Sequence, residues 1–310
     1  MTKKSISLKK VADLFGTDVA GLGESCRKFY ETINMNYRTF SHEEEKDLIL
    51  NILKKIENDK QVIGAVERTQ VWHNGWDENL QQFRQNKHAS SVVPRFIRPN
   101  QVIRFDGEYI LPENKNFEQD YAKLMQLYIY DKFFTKDIEN IYEFGAGSGF
   151  NLINIMNHNP SLNLYGSDFV QSSVDLINEF DSHYDTKFKG DLFDMLHPDY
   201  SYEIKENSCV FTHGALEQLA GNVKNIINFF LHKKPTICIH IEPTVEFYDE
   251  DNLFDYLQIK FHKKRGYSSG YLPYLQQLDK KGQINIVESR RLFFGSKFME
   301  GYNLVVWKPL

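Results

Sequence analysis

The chain predicts an α/β protein: a mostly parallel sheet with helices on both faces, an antiparallel hairpin at its end, and a mainly helical N-terminal region before it. Three features point there. From Ile141 onward, short apolar runs alternate with helix-length amphipathic segments, the order that builds βαβ units. A glycine-rich segment, 145–149, directly follows the first of those runs. The tail breaks the alternation with two strand-like runs and no helix-length segment between them.

Taken in order, the parallel part predicts strands near 140–144, 162–167, 186–189, 208–212 and 236–242. Helices over 149–157, 171–180, 215–231 and 251–263 fit between them. Ile284-Asn-Ile-Val-Glu-Ser and Tyr302-Asn-Leu-Val-Val-Trp307 supply two more strands, joined through Phe294–Gly301, for a seven-stranded sheet. In the N-terminal half, Ser7–Phe15 reads as a short amphipathic helix. Ser41 with Glu44 forms a capping-box pattern. Leu48, Ile49, Ile52, Leu53 and Ile56 then fall on one helical face, and that helix should end near Asn58-Asp59. Gln70–Asn100 has no clean period, and prolines 94 and 99 argue against a helix across 92–99. Ile103–Leu111 reads as one or two short strands with a turn at Asp106-Gly107. Phe117–Phe134 reads as an amphipathic helix, with Tyr121, Leu124, Met125, Tyr128 and Ile129 on its apolar side. The change in texture divides the chain into an accessory region, 1–115, and an α/β domain, 116–310.

Bulk properties narrow the function. With 310 residues, 41% hydrophobic and 25% charged, the chain can bury a sizeable core. A net charge of −5 argues against a nonspecific nucleic-acid binder, which carries a basic footprint. Cys26, Cys209 and Cys238 are too few and scattered for a disulfide framework or a zinc site. They fit reduced thiols in a cytoplasmic enzyme. The first residues lack the apolar stretch of a signal peptide, and no run of about 18 apolar residues would span a membrane.

The chemistry concentrates in Glu143-Phe-Gly145-Ala-Gly147-Ser-Gly149. Glycines let a backbone turn sharply and approach a ligand where a Cβ would clash. A dinucleotide loop reads G-x-G-x-x-G; here the pattern is E-x-G-x-G-x-G, with an acid two residues before the first glycine. An acid there suits a cationic ligand better than a pyrophosphate. The segment resembles the cofactor loop of class I S-adenosylmethionine-dependent methyltransferases, and the closing hairpin adds to the resemblance. It implies a Rossmann-like fold and S-adenosylmethionine as cofactor, converted to S-adenosylhomocysteine. Asp168 then matches the acid that accepts from the ribose hydroxyls. Asp191 matches the acceptor for the adenine amino group, with the Leu192 backbone donating to the ring and Phe193 read as either a packing partner or a core residue. Phe211-Thr-His213-Gly-Ala-Leu-Glu217 matches the segment at the methionine end. An Asn-Pro-Pro-Tyr motif, which would favour nucleobases or protein amides, is absent.

Methyl transfer to a hydroxyl needs a base as well as alignment. His213 is the first choice because imidazole is neutral near working pH; Glu242, ending the fifth strand, and Glu217 are the others. His240, deeper on the strand of Glu242, reads as a core histidine. His213 and Glu217 stand at i, i+4, but no further ligand cluster supports a metal, and none is expected. Trp72 and Trp76 are candidate ring-stacking contacts or a packed cluster. Arg95, Arg98 and Arg104 are candidate phosphate forks or solvated charges, and His262, Arg265 and Tyr267 form a second candidate acceptor patch. The runs Trp72-His-Asn-Gly-Trp76, Ile241–Tyr256, His262-Lys-Lys-Arg-Gly-Tyr267 and Gly301–Pro309 resemble bacterial sugar O-methyltransferases of capsule and surface-glycan pathways. That resemblance implies a sugar acceptor, such as a nucleotide-activated hexose or heptose. The alternatives are an N-methyltransferase for a small amine, amino acid or peptide, and a noncatalytic partner that keeps the cofactor fold. A homodimer is compatible with the chain.

Overall fold

The computed structural model describes residues 3–62, 66–95 and 97–310; Phe96 of the 92–99 run lies outside them. The N-terminal half contains β1 (Lys3–Ser5), α1 (Leu8–Phe15), α2 (Glu24–Tyr30), β2 (Asn36–Thr39), α3 (His42–Glu57), α4 (Val66–Asn86), β3 (Ile103–Phe105) and β4 (Glu108–Pro112). Ser7 caps α1 by accepting from the Lys10 N–H. Ser41 and Glu44 form the reciprocal capping box of α3. The β3–β4 hairpin turns at Asp106 and Gly107, whose φ values of 52° and 79° match a type I′ turn.

Two features of this half depart from the expectation. Where no period was legible, α4 runs for 21 residues. Among the described residues its buried face holds only three apolar side chains, Trp76, Leu80 and Phe83, with the polar Asn79 between them, so the pattern is faint. The helix is held by packing on a partner, with the Phe83 ring 5.6 Å from that of Phe180 and tilted to it by 30°. The strands also assemble into an antiparallel sheet of order β1-β2-β4-β3-β11, whose last member comes from the far end of the chain.

The second half holds α5 (Phe117–Phe133), β5 (Asn140–Phe144), α6 (Phe150–His158), β6 (Asn163–Asp168), α7 (Gln171–Tyr184), β7 (Phe188–Leu192), β8 (Ser208–His213), α8 (Val223–Lys233), β9 (Ile237–Glu242), α9 (Leu253–Arg265), α10 (Tyr271–Lys280), β10 (Ile284–Arg290), β11 (Phe294–Ser296) and β12 (Asn303–Pro309). The large sheet has the order β10-β12-β9-β8-β5-β6-β7. Strands β5 to β9 run parallel, and β12 is antiparallel to both of its neighbours. The single helix expected over 215–231 is broken: a short 3-10 turn (Leu216–Leu219) precedes α8, because Ala220 and Gly221 take φ values of 49° and 81°. Helix α10 and the pairing of β11 with β3 had no counterpart in the sequence reading.

One apolar cluster joins α1, α5, α6 and α7 to one face of the sheet through residues such as Phe15, Tyr128, Ile155, Phe180, Ile141 and Phe211. A second, with Phe144, Phe229, Phe230, Leu275 and Trp307, covers the other face. The C-terminal strand ends lie between these layers, where such sheets bind ligands.

Candidate active site

Five strand ends converge there: Glu143, Asp168, Leu192, His213 and Glu242. The loop after β5 folds back on β6, with the Gly145 and Ala146 N–H groups donating to the Ser167 carbonyl at 2.8 and 2.9 Å. Gly147 is the constrained position. Its φ is +54°, and a Cβ there would lie 2.6 Å from the ring of Trp76. The loop is thus covered by α4: Trp76 is buried on Gly147, and Ser148 Oγ–H donates to the Val92 carbonyl.

Glu143 is buried. Its Oε1 accepts from Asn151 Nδ2 at 2.7 Å, whereas Oε2 has no partner. Burial pushes its carboxyl up to about 8. Such a group is held ready for a cation that would restore its charge. Asp168 accepts from the Gly147 N–H at 2.9 Å and the Val170 N–H at 3.0 Å. Each oxygen keeps a lone pair for another donor. Burial raises Asp168 to about 6 against those bonds. Asp191 is ion-paired with Lys189 at 3.0 Å. Leu192 is 58% exposed, and Phe169 beyond the neighbouring strand end is 44% exposed. The register pairs Asp168 with Leu192, so Phe169 and Leu192 lie at the ends of neighbouring strands. Phe193 belongs to the core, 5.0 Å from Phe144; Phe169 is the exposed aromatic beside the site. It carried no signal beyond its place after Asp168.

A buried polar chain links the loop acid to His213. Asn151 Oδ1 accepts from Gln126 Nε2 at 2.8 Å, and the same nitrogen lies 3.2 Å from His213 Nδ1. Asn154 donates to Gln126 Oε1 at 3.1 Å, orienting that amide. With Glu143 as a carboxylate, every donor in the chain is fixed, His213 Nδ1 is an acceptor, and the imidazole proton sits on Nε2. Burial holds His213 down at about 4. It is therefore a neutral donor in this arrangement and has no free lone pair for a base.

Glu242 is turned inward. Its carboxyl accepts from the Ala215 and Leu216 N–H groups at 3.0 and 3.1 Å, capping the 3-10 turn. Burial and the neighbouring Glu217 charge hold it well above the usual carboxylate range. Glu217 accepts from Gln218 Nε2 at 2.9 Å, and its Oε2 has no partner. His240 is a satisfied core histidine: Trp307 donates to its Nε2 at 3.0 Å, so Nδ1–H donates to Thr212 Oγ1 at 2.8 Å.

Beside His213 stands a group that the sequence did not mark. Tyr302 packs its ring edge-on to His213 at 5.4 Å, and its hydroxyl reaches Glu118 Oε1 at 3.4 Å. Burial pushes Glu118 up to about 7. In the sequence Glu118 looked like any acid in the first turn of a helix.

The expected acceptor contacts divide. Trp72 and Trp76 stack at 5.5 Å on α4, and Trp72 Nε1 donates to Gln218 Oε1 at 3.3 Å, beside the Glu217 turn. Arg95 is exposed and paired with Glu78 at 2.5 Å. Arg98 is exposed. Arg104 is buried, its guanidinium bonded to Tyr109 Oη at 2.8 Å and lying 3.5 Å over Phe254, a place in the core and not on the surface. The 262–267 patch also has structural tasks. His262 Nε2–H donates to the Ser268 carbonyl at 2.9 Å, Arg265 binds Asp59 at 2.8 Å and Tyr267 Oη at 2.9 Å, and Tyr267 is buried. These bonds tie α9 to the end of α3. Among the described residues no group of three metal-ligating side chains occurs, and no helix is long and apolar enough to cross a membrane.

No family model and no curated protein matches the chain; solved structures do. The [4+2]-cyclase SpnF superposes with a TM-score of 0.50 and 11% identity over 77% of this chain and 95% of its own. The 16S rRNA methyltransferase RmtF, in complex with S-adenosyl-L-homocysteine, gives 0.45 and 9% over 77% and 76%. Human N-acetylserotonin methyltransferase in complex with SAM gives 0.40 and 12% over 62% and 55%. The likeness to SpnF shows a shared fold: this chain has the class I, methyltransferase-like α/β architecture. A cyclase on that architecture shows that the fold leaves the reaction open.

Proposed function

We propose that the chain is an S-adenosylmethionine-dependent O-methyltransferase acting on a sugar hydroxyl, with a nucleotide-activated hexose or heptose for surface polysaccharide as the substrate class, working in the cytoplasm. In this reading residues 116–310 hold the cofactor and residues 1–115 build the acceptor side together with Glu118, His213 and Tyr302. The observation that carries it is Glu143: a buried carboxyl with one unpartnered oxygen, beside a three-glycine loop. A cationic amine fits that oxygen. Asp168 keeps acceptor capacity for a ribose, and Phe169 and Leu192 offer apolar surface for a purine. Trp76 stands over Gly147, so its ring turns aside when the site fills.

When bound, the cofactor supplies a methyl group already activated on a sulfonium. The remaining work falls to the protein. Glu118, raised to about 7, takes the acceptor's hydroxyl proton, and Tyr302 holds that carboxyl in place. His213 Nε2–H donates to the acceptor oxygen or its neighbour and orients it. The tryptophan pair of α4 keeps water out and offers an aromatic face to a sugar ring. Incubating the protein with S-adenosylmethionine and a panel of nucleotide-activated sugars, read by mass spectrometry, tests this. A gain of one methyl group on a sugar supports it; methylation of amines alone would favour the N-methyltransferase reading.

A further inference from the structure

Away from the glycine loop, three cations from distant parts of the chain converge without a counterion. Strands β3 and β11 are antiparallel with Ile103 opposite Ser296. Lys297 and the segment before Ile103 therefore leave the same end of the pair. That segment carries Arg98, and the Asn100 N–H anchors it to the Lys115 carbonyl at 2.8 Å, at the start of α5. The Lys297 ammonium lies 5.4 Å from the Phe298 ring, which stacks on Phe261 of α9 at 5.1 Å. Lys55 comes from the last turn of α3, whose Ile52 and Ile56 are buried in the same apolar cluster as Phe261. The Phe298–Phe261 stack and the packing of Ile56 in the same apolar cluster bring the end of α3 toward the Lys297 segment. Burial, then Lys55, then Arg98 lower the Lys297 amine, and no carboxylate offsets them.

Among the described residues none of the three cations is paired with a carboxylate, although acids outnumber Lys and Arg by 42 to 37 in this chain. Other exposed cations, such as Arg84 with Glu179 and Lys10 with Asp106, have found acids. Lys297 is half-buried, whereas Lys55 and Arg98 are exposed; like charges set against a half-buried amine are unfavourable unless an anion joins them. Two ammonium groups and a guanidinium fork suit the several oxygens of a phosphate. The cluster is within chain reach of the acceptor side: five residues, at most about 17 Å of extended chain, separate Lys297 from Tyr302, and the Arg98 segment is tied at Asn100 to Lys115, three residues before Glu118.

We infer that Lys55, Lys297 and Arg98 seat a phosphoryl group carried by the acceptor. The inference rests on the methyl-transfer reading only for what the phosphate is attached to. The test is calorimetric titration of the full chain with inorganic pyrophosphate and with UDP, for wild type, Lys55→Met, Lys297→Met and the double variant, each also titrated with S-adenosylhomocysteine. Lys54→Met, exposed one residue away, controls for loss of charge alone. The expected result is saturable pyrophosphate binding, weakened about tenfold by each lysine substitution, with Lys54→Met like wild type. Tighter binding of UDP than of pyrophosphate identifies a nucleoside-linked acceptor; equal affinities identify a sugar phosphate. Pyrophosphate affinity unchanged in the double variant, or absent in wild type that still binds S-adenosylhomocysteine, overturns the inference and leaves the methyl-transfer reading standing. Lysine-dependent pyrophosphate binding without any S-adenosylhomocysteine binding keeps the inference and overturns that reading.

Discussion

Cofactor binding should expel a proton from Glu143. The carboxyl is fully buried with one oxygen unpartnered, and burial pushes it up to about 8. A cationic amine needs the charged form, so binding at pH 7 must first ionise a group that is about 90% protonated there. One pH unit below its midpoint costs about 1.4 kcal/mol, roughly tenfold in affinity. Asp168, at about 6, is already mostly ionised at pH 7 and adds little. The affinity for S-adenosylhomocysteine should therefore rise about tenfold per unit up to pH 8. It should then level off and fall as the ligand's own α-amino group, with a pKa near 8, loses its charge. Calorimetry at pH 7 in two buffers of different ionisation enthalpy counts the proton directly: about 0.9 released per ligand bound. Glu143→Gln, unable to ionise, should bind weakly with no such release. Binding that is flat from pH 6 to 8 with no proton exchanged would refute the reasoning. The empty protein carries the opposite dependence. An acid raised on folding stabilises below its unfolded value near 4.5, and that contribution is lost as pH rises toward 8, so melting temperature should fall over that range and the ligand should restore it.

Three further outcomes are expected. Glu118→Gln should lower kcat by roughly 10²–10³ and remove the limb near pH 7 from the kcat/KM profile, with S-adenosylhomocysteine affinity within twofold of wild type; an unchanged kcat excludes it as the proton acceptor. Gly147→Ala places a side chain at φ +54°, against Trp76, and should cost about 1–3 kcal/mol in urea unfolding as well as weakening ligand binding; wild-type values for both would show that the loop tolerates a Cβ. His262→Leu removes the bond to the Ser268 carbonyl and should cost about 1–2 kcal/mol of stability while leaving the acceptor KM alone; a raised KM with intact stability would return His262 to the acceptor site.

The parallel sheet was legible because each strand is a short apolar run and each connection a longer amphipathic one; bounds for β5, β6, β8 and β9 differ from expectation by a residue or so. The glycine loop and Ser41 were legible for a related reason: backbone conformation and capping impose residue types locally. What escaped depended on distant partners. Helix α4 presents one narrow stripe, and its stability comes from α7 and the glycine loop, neither adjacent in sequence. Strand β11 is three residues long and means nothing until β3 lies beside it. Arg104 looked like a surface fork because nothing local shows that Tyr109 and the Phe254 backbone enclose it. Glu118 became distinct only once Tyr302, 184 residues on, reached its carboxyl. His213 was found correctly as a strand-end residue, but its role turned on Gln126, 87 residues away, which fixes the side of the ring that carries the proton.

The most direct measurement is a crystal structure of the chain grown with S-adenosylhomocysteine. The ligand amine should lie within hydrogen-bonding distance of Glu143 Oε2, the ribose hydroxyls should meet Asp168, and the Trp76 ring should have left the face of Gly147. Crystals at saturating ligand in which Trp76 still covers Gly147 and Glu143 Oε2 still meets nothing would contradict the assignment of a cofactor to this crevice.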